Sequence, residues 1–212
     1  AEKNPKGKVI LIVEDEESIR DFMKERLSQL FIVETASNGQ EALSVIQKEH
    51  IDIIISDVMM PVMNGYEFCA AVKSDINLSH IPIIFLTAKN DIDSKVKGLK
   101  VGAEAYIEKP FSYDYLKAQI LSLLNNRQKE REAFSKRPFF PVQNMQMSKE
   151  DEEFMNKVIE VIYANLKDET FNVERMAEEL CLSRSSLLRK IKTLFNLSPI
   201  DFIRLIRLKK AA

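Results

Sequence analysis

Asp57, the acidic pair Glu14-Asp15, Thr87 and Lys109 are the residues whose types and spacing could do chemistry together, because each ends a short apolar run. The run Ile51–Ile55 stops at Ser56-Asp57, and Pro61 and Asn64-Gly65 then turn the chain, which puts a carboxylate at the mouth of a buried strand. In an open parallel sheet, reactive groups collect outside the carboxyl ends of the strands. Carboxylates converging there repel unless a cation sits among them, and a set of carboxylates, water and a backbone carbonyl suits Mg²⁺. Asp15 and Asp57 are expected as ligands, the Met59 carbonyl as a third, and Glu14 directly or through water. Glu16 and Glu17 read as an acidic helix start favoured by the dipole. Thr87 offers a hydroxyl donor and Lys109 a point charge. Together they suit a transferred phosphoryl group, with Asp57 as nucleophile forming an acyl phosphate and Thr87 and Lys109 compensating charge.

The elements that must position these groups alternate. Lys8–Val13, Phe31–Ala36, Ile51–Ser56, Ile81–Leu86 and Ala105–Ile107 read as strands. Helical spacing follows each: Ile19 to Leu30, Glu41–Lys48, Tyr66–Lys73, Ser94–Val101 and Tyr113–Leu124. Strand and helix in alternation imply an α/β fold with a five-stranded parallel sheet covered on both faces. The last helix is expected to run on through Asn125–Phe134.

These residues carry a resemblance. Lys8 to about Leu124 resembles the receiver domain of bacterial two-component response regulators, on Glu14-Asp15, Asp57 in Ser-Asp-Val-Met-Met-Pro-Val-Met-Asn-Gly, Thr87 in Phe-Leu-Thr-Ala-Lys, and Lys109-Pro110-Phe111. The resemblance implies a flavodoxin-like fold, a histidine kinase as phosphoryl donor to Asp57, slow self-catalysed hydrolysis and a cis peptide between Lys109 and Pro110. It also implies a switch in which Thr87 moves toward the phosphate and Tyr106 turns inward, reshaping the surface used for homodimer formation on phosphorylation. Glu14 departs from the pattern, since many members carry Asp there.

After Ser148 only helical patterns remain. Ser148 and Asp151 can cap a helix whose inner face is Phe154, Val158, Ile159, Val161 and Ile162. Phe171–Leu180 and Ser183–Phe195 form two short helices about a turn at Cys181-Leu182, and Ser198-Pro199 opens another. Residues 1–124 hold 14 basic and 19 acidic side chains, whereas 125–212 hold 17 and 13, and from Ser183 onward eight basic residues face the single acid Asp201. A basic end on an acidic body suggests a nucleic-acid partner. Phe171 to Lys210 is similar to the first helix-turn-helix of AraC/XylS-type regulators, on Met176-Ala177-Glu178-Glu179-Leu180, Leu182 to Lys192 and Leu197 to Arg204. Leu187, Ile191 and Phe195 are then core, with Arg184, Ser185, Leu188, Arg189 and Lys192 nearer the DNA groove. Arg189 is the expected base contact; Lys192, Arg204 and Arg207 are expected at phosphates.

The expected organisation is a receiver at 8–126, a linker at 127–147 with Phe139-Phe140 between prolines, and a smaller all-α domain at 148–212. That family reads DNA with two motifs, and the sequence shows one and the start of the joining helix. It therefore reads as cut at both ends, from a stand-alone regulator or from a hybrid sensor kinase. Cys69 and Cys181 read as reduced core thiols of a cytoplasmic protein, and His50 and His80 as solvent-side loop residues. No run is long enough for a membrane span. Two rival readings remain: a helical module that docks protein instead of DNA, and a Mg²⁺-dependent aspartyl phosphatase. The second lacks the acid such enzymes use two residues after the nucleophile, where Met59 stands.

Overall fold

The structure, a computed structural model, describes residues 7–88, 101–136 and 148–211. Two compact units divide the chain, one of residues 1–75 and 81–125 and the other of Ile76–His80 and Asn126–Ala212.

The first unit is built on five parallel strands: β1 Val9–Val13, β2 Ile32–Ala36, β3 Ile53–Asp57, β4 Ile83–Ala88 and β5 Ala105–Lys109, in the order β2-β1-β3-β4-β5. The central strands β1, β3 and β4 read as unbroken apolar runs because both their faces are covered. Ile10, Ile12, Ile53, Ile55, Ile84 and Leu86 pack in one core with Met23, Leu27, Leu116 and Ile120 from the helices. Each such fully buried side chain contributes about 1.5–3 kcal/mol. The helices are α1 Glu17–Leu27, α2 Gly39–Ile46, α3 Gly65–Ser74 and α4 Tyr113–Lys136. Helix α4 continues beyond Phe134, so residues 127–136 are helical. The helix expected at Ser94–Val101 lies outside the described residues except for Val101, as does Phe139-Phe140.

In the second unit, α5 Lys149–Ala164, α6 Val173–Glu179, α7 Arg184–Phe195 and α8 Pro199–Ala211 enclose Phe154, Met155, Val158, Met176, Leu187, Ile191, Phe195 and Phe202. Side chains cap three of them: Ser148 accepts from Asp151 N–H, Asn172 from Arg175 N–H and Ser183 from Ser186 N–H. Helix α7 ends at Asn196, whose left-handed φ of 54° stops it.

Two sequence expectations are corrected. Cys181 is exposed, because it turns the chain between α6 and α7 at φ 55°. His80 is 9% exposed and buried, whereas His50 is exposed.

Candidate phosphoryl-acceptor site

Strand register assembles the site. Val13 pairs with Ser56, so Glu14 and Asp57, the next residues, leave the sheet side by side. Asp57 pairs with Leu86, which places Thr87 one step on, and Ala88 pairs with Lys109. Four strands thus deliver their polar ends to one edge, as the sequence predicts.

The loop after Asp57 is fixed by its own backbone. Asn64 caps α3 through Tyr66 and Glu67 N–H, and Glu67 returns a carboxylate to Asn64 N–H. Gly65 N–H donates to Val58 O at 2.9 Å. A Cβ on Gly65 would lie 2.3 Å from Asp57 O, so only glycine lets α3 start this close to the end of β3. Val62 adopts a φ of 69°, rare for a β-branched residue and a cost on the order of 1–3 kcal/mol.

Asp57 Oδ1 accepts from Val58 N–H at 2.6 Å and from Met59 N–H at 3.3 Å. Its Oδ2 accepts from Lys109 Nζ at 2.6 Å. Lys109 also donates to Glu14 Oε2 at 2.8 Å and Oε1 at 3.1 Å. Burial works against the Lys109 charge, but Asp57 and Glu14 outweigh it and hold the ammonium above its ordinary value. Burial and the Asp57 charge push Glu14 up to about 7 despite Lys109. Arg20 donates to Glu14 O at 2.7 Å and fastens the acidic loop, a role no sequence signal announces.

Oxygens of Glu14, Asp15 and Asp57 lie within 4.8 Å of one another. An all-carboxylate set of this spacing fits a hard divalent cation. Asp15 is exposed and Glu14 buried, so the cluster opens to solvent on the Asp15 side. Thr87 is 1% exposed, and its Oγ1 has no hydrogen-bond partner among the described residues. A buried hydroxyl of this kind, one residue beyond the register partner of Asp57, suits an incoming anionic oxygen. The Tyr106 ring packs at a tilt against Phe85, centroids 5.7 Å apart, and Phe85 meets Tyr66 edge to face at 5.3 Å. Its hydroxyl is buried and likewise unpaired among the described residues, and burial raises its pKa.

The model of the response regulator receiver domain matches residues 10–121, a stretch that holds all of these groups. The chain belongs to the response regulator receiver family. Receiver domains are phosphoryl acceptors that interact with histidine kinases and bind Mg²⁺ at an acidic pocket, the place taken here by Glu14, Asp15 and Asp57. The chemotaxis response regulator CheY4 of Vibrio cholerae is 39% identical with a TM-score of 0.51, over 55% of this chain and 98% of that one. The probable transcriptional regulator ycf27 of Guillardia theta is 43% identical over 127 residues, 59% of this chain and 48% of that protein. Histidine kinase P4 of Formosa agariphila is 38% identical over 203 residues, 96% of this chain and 15% of that protein. The chain therefore spans about half the length of that ycf27 regulator and a small part of the kinase. The Lys109–Pro110 peptide is cis, as the receiver resemblance implies. No helix among the described residues is long and apolar enough to cross a membrane.

In the second unit Arg184, Ser185, Arg189 and Lys192 are exposed on α7, and Leu187, Ile191 and Phe195 are buried. Arg184 Nε lies 3.2 Å from Glu174, and Arg204, exposed on α8, lies 3.7 Å from Asp201. Arg207 gives Nη2 to Asp168 O at 2.7 Å and Asn165 O at 3.3 Å, bracing the connection after α5.

Proposed function

We propose that this chain is part of a phosphorylation-controlled transcription regulator: Asp57 accepts a phosphoryl group from a histidine kinase, and the helices after Ser148 read DNA. The observation that carries the first half is Lys109 Nζ at 2.6 Å from Asp57 Oδ2, beside two further carboxylates, with the buried Thr87 hydroxyl at the same sheet edge left without a partner among the described residues. A carboxylate oxygen of Asp57 attacks phosphorus, a P–O bond forms and the P–N bond to the kinase histidine breaks, its electron pair returning to nitrogen so that the imidazole leaves neutral with the proton already on its other ring nitrogen. Lys109 and Thr87 then hold the new anionic oxygens, so catalysis is positioning and charge compensation. Asp15 and Asp57, with the Met59 carbonyl and with Glu14 directly or through water, would hold Mg²⁺, which would neutralise phosphoryl charge there.

In this reading Thr87 and Tyr106 form the switch. Their two buried hydroxyls, without a partner among the described residues, support it, since a phosphoryl oxygen would give Thr87 an acceptor. Phosphorylation then favours a homodimer, which doubles the DNA contacts.

DNA reading by an AraC-type helix-turn-helix rests on the short turn between α6 and α7 and on the exposed Arg184, Ser185, Arg189 and Lys192, with Arg204 on α8. Arg189 is assigned to a base edge, Arg184 and Ser185 to the groove nearby, and Lys192 and Arg204 to phosphates. Arg207 was expected at a phosphate too, but its Nη2 is already given to backbone carbonyls. The match to histidine kinase P4 runs over 203 residues and so continues through this unit, which favours a receiver and helical module that travel together in a hybrid sensor.

Titration of a promoter fragment with the chain before and after phosphorylation tests the reading. Tighter, salt-dependent binding after phosphorylation supports it. Binding that ignores both salt and phosphorylation contradicts it and favours the protein-docking alternative.

A further inference from the structure

Lys190 stands among the core residues Leu187, Ile191 and Leu194 of α7, not among its exposed cations, and is 1% exposed. Its ammonium is ion-paired and hydrogen-bonded to the carboxylate of Asp151 in the first turn of α5, itself 1% exposed. Ser79, from the Ile76–His80 segment of the same unit, accepts from Lys190 at 2.6 Å and donates to Asp151 at 2.8 Å. The Phe154 ring lies 5.8 Å from the ammonium. Burial opposes the Asp151 charge, yet Lys190 holds its carboxyl below the ordinary value.

A buried ion pair is a poor device for stability alone, because desolvation offsets its attraction and apolar residues of similar volume often do as well. What it supplies is direction. Apolar contact tolerates small rolls and slides of one helix on another, whereas any slip here pulls two buried opposite charges apart. Arg189 and Lys192 flank Lys190 on α7, so a roll of the helix about its axis re-aims both.

We propose that the Asp151–Lys190 pair is a positioning device that fixes the rotation of α7 against α5, and through it the aim of Arg189 and Lys192. Its consequence for DNA rests on the reading of α7 given above; its structural content does not.

The test compares the full chain with Lys190→Met, Asp151→Leu and the double variant. Three readouts are taken: urea unfolding, backbone N–H residual dipolar couplings for α5 and α7, and DNA affinity at one salt concentration. Each single variant should be destabilised, with one charge left buried. The double variant should recover wild-type stability, yet its α7 couplings should no longer fit the wild-type orientation, and its DNA affinity should fall by about tenfold, the scale of one lost base contact. A double variant with wild-type stability, couplings and affinity overturns the proposal. If the double variant does not fold, Asp151→Asn decides, since it keeps the shape and removes the charge. Couplings of α7 in the folded variant that no longer fit the wild-type orientation then support positioning, and wild-type couplings overturn it. If the wild-type chain binds no DNA, the DNA reading fails and the couplings alone decide.

Discussion

The Lys109 ammonium lies 2.6 Å from Asp57 Oδ2. The same nitrogen holds Glu14, so one cation serves both Asp57 and a buried neighbour. Lys109→Ala should leave the fold intact, since Lys109 ends β5 at the solvent-open edge of the sheet, but remove the fixed counter-charge of a phosphoryl group on Asp57. Accumulation of phosphoprotein should fall by roughly 10²–10³-fold, the usual cost of one preorganised stabilising group. Acid-urea gels or intact mass after incubation with acetyl phosphate and Mg²⁺ measure it. Near-normal accumulation would show that Lys109 is structural.

Gly65→Ala should be among the most damaging single-methyl changes in the first unit. The added Cβ meets backbone at 2.3 Å, and backbone cannot swing aside as a side chain can. Urea unfolding should show a loss of about 1–3 kcal/mol, with slower phosphorylation because the Asp57 strand end must shift. Unchanged stability would mean that the loop yields freely.

Much of this site was legible because its residues stand where apolar periodicity breaks. Asp57 and Lys109 each close a strand, and parallel register alone then brings them together. The second unit was harder to read. Lys190 sits among basic residues and looks like surface, while its partner Asp151, 39 residues earlier, looks like a capping acid. Cys181 lies between Leu180 and Leu182 and reads as core, but the left-handed turn there faces it outward. Arg207 reads as one more cation on a basic helix, and only the fold shows its carbonyl acceptors.

Arg207 and Arg189 should therefore separate. Arg207→Ala should destabilise the second unit by about 1–3 kcal/mol, as charged hydrogen-bond donors to carbonyls are lost. Arg189→Ala, on an exposed side chain, should leave stability within about 0.5 kcal/mol and weaken DNA binding. Thermal unfolding and a DNA titration of both variants check this. The opposite pattern would reverse the two roles.

Asp168 supplies a pH signature. Hydrogen bonds from Thr170 and the Arg175 guanidinium at 2.5 Å hold its carboxyl at about 2, below the ordinary 3.8. A depressed carboxylate stabilises the fold above its unfolded value and loses that contribution as pH falls through the folded one. The gap in unfolding midpoint between wild type and Asp168→Asn should thus be constant above about pH 5 and close toward about pH 2. A gap that widens with acid contradicts the assignment.

The most direct measurement of the central claim is the site of phosphorylation. The chain and its Asp57→Asn variant are incubated with acetyl phosphate, with Mg²⁺ and with a chelator, and the acyl phosphate is trapped by borohydride reduction and located by peptide mass spectrometry. The expected result is one modified residue, Asp57, in the presence of Mg²⁺, and none in Asp57→Asn or with chelator. Equal labelling of the variant, or labelling at Glu14 or Asp15 in the wild type, would contradict the account.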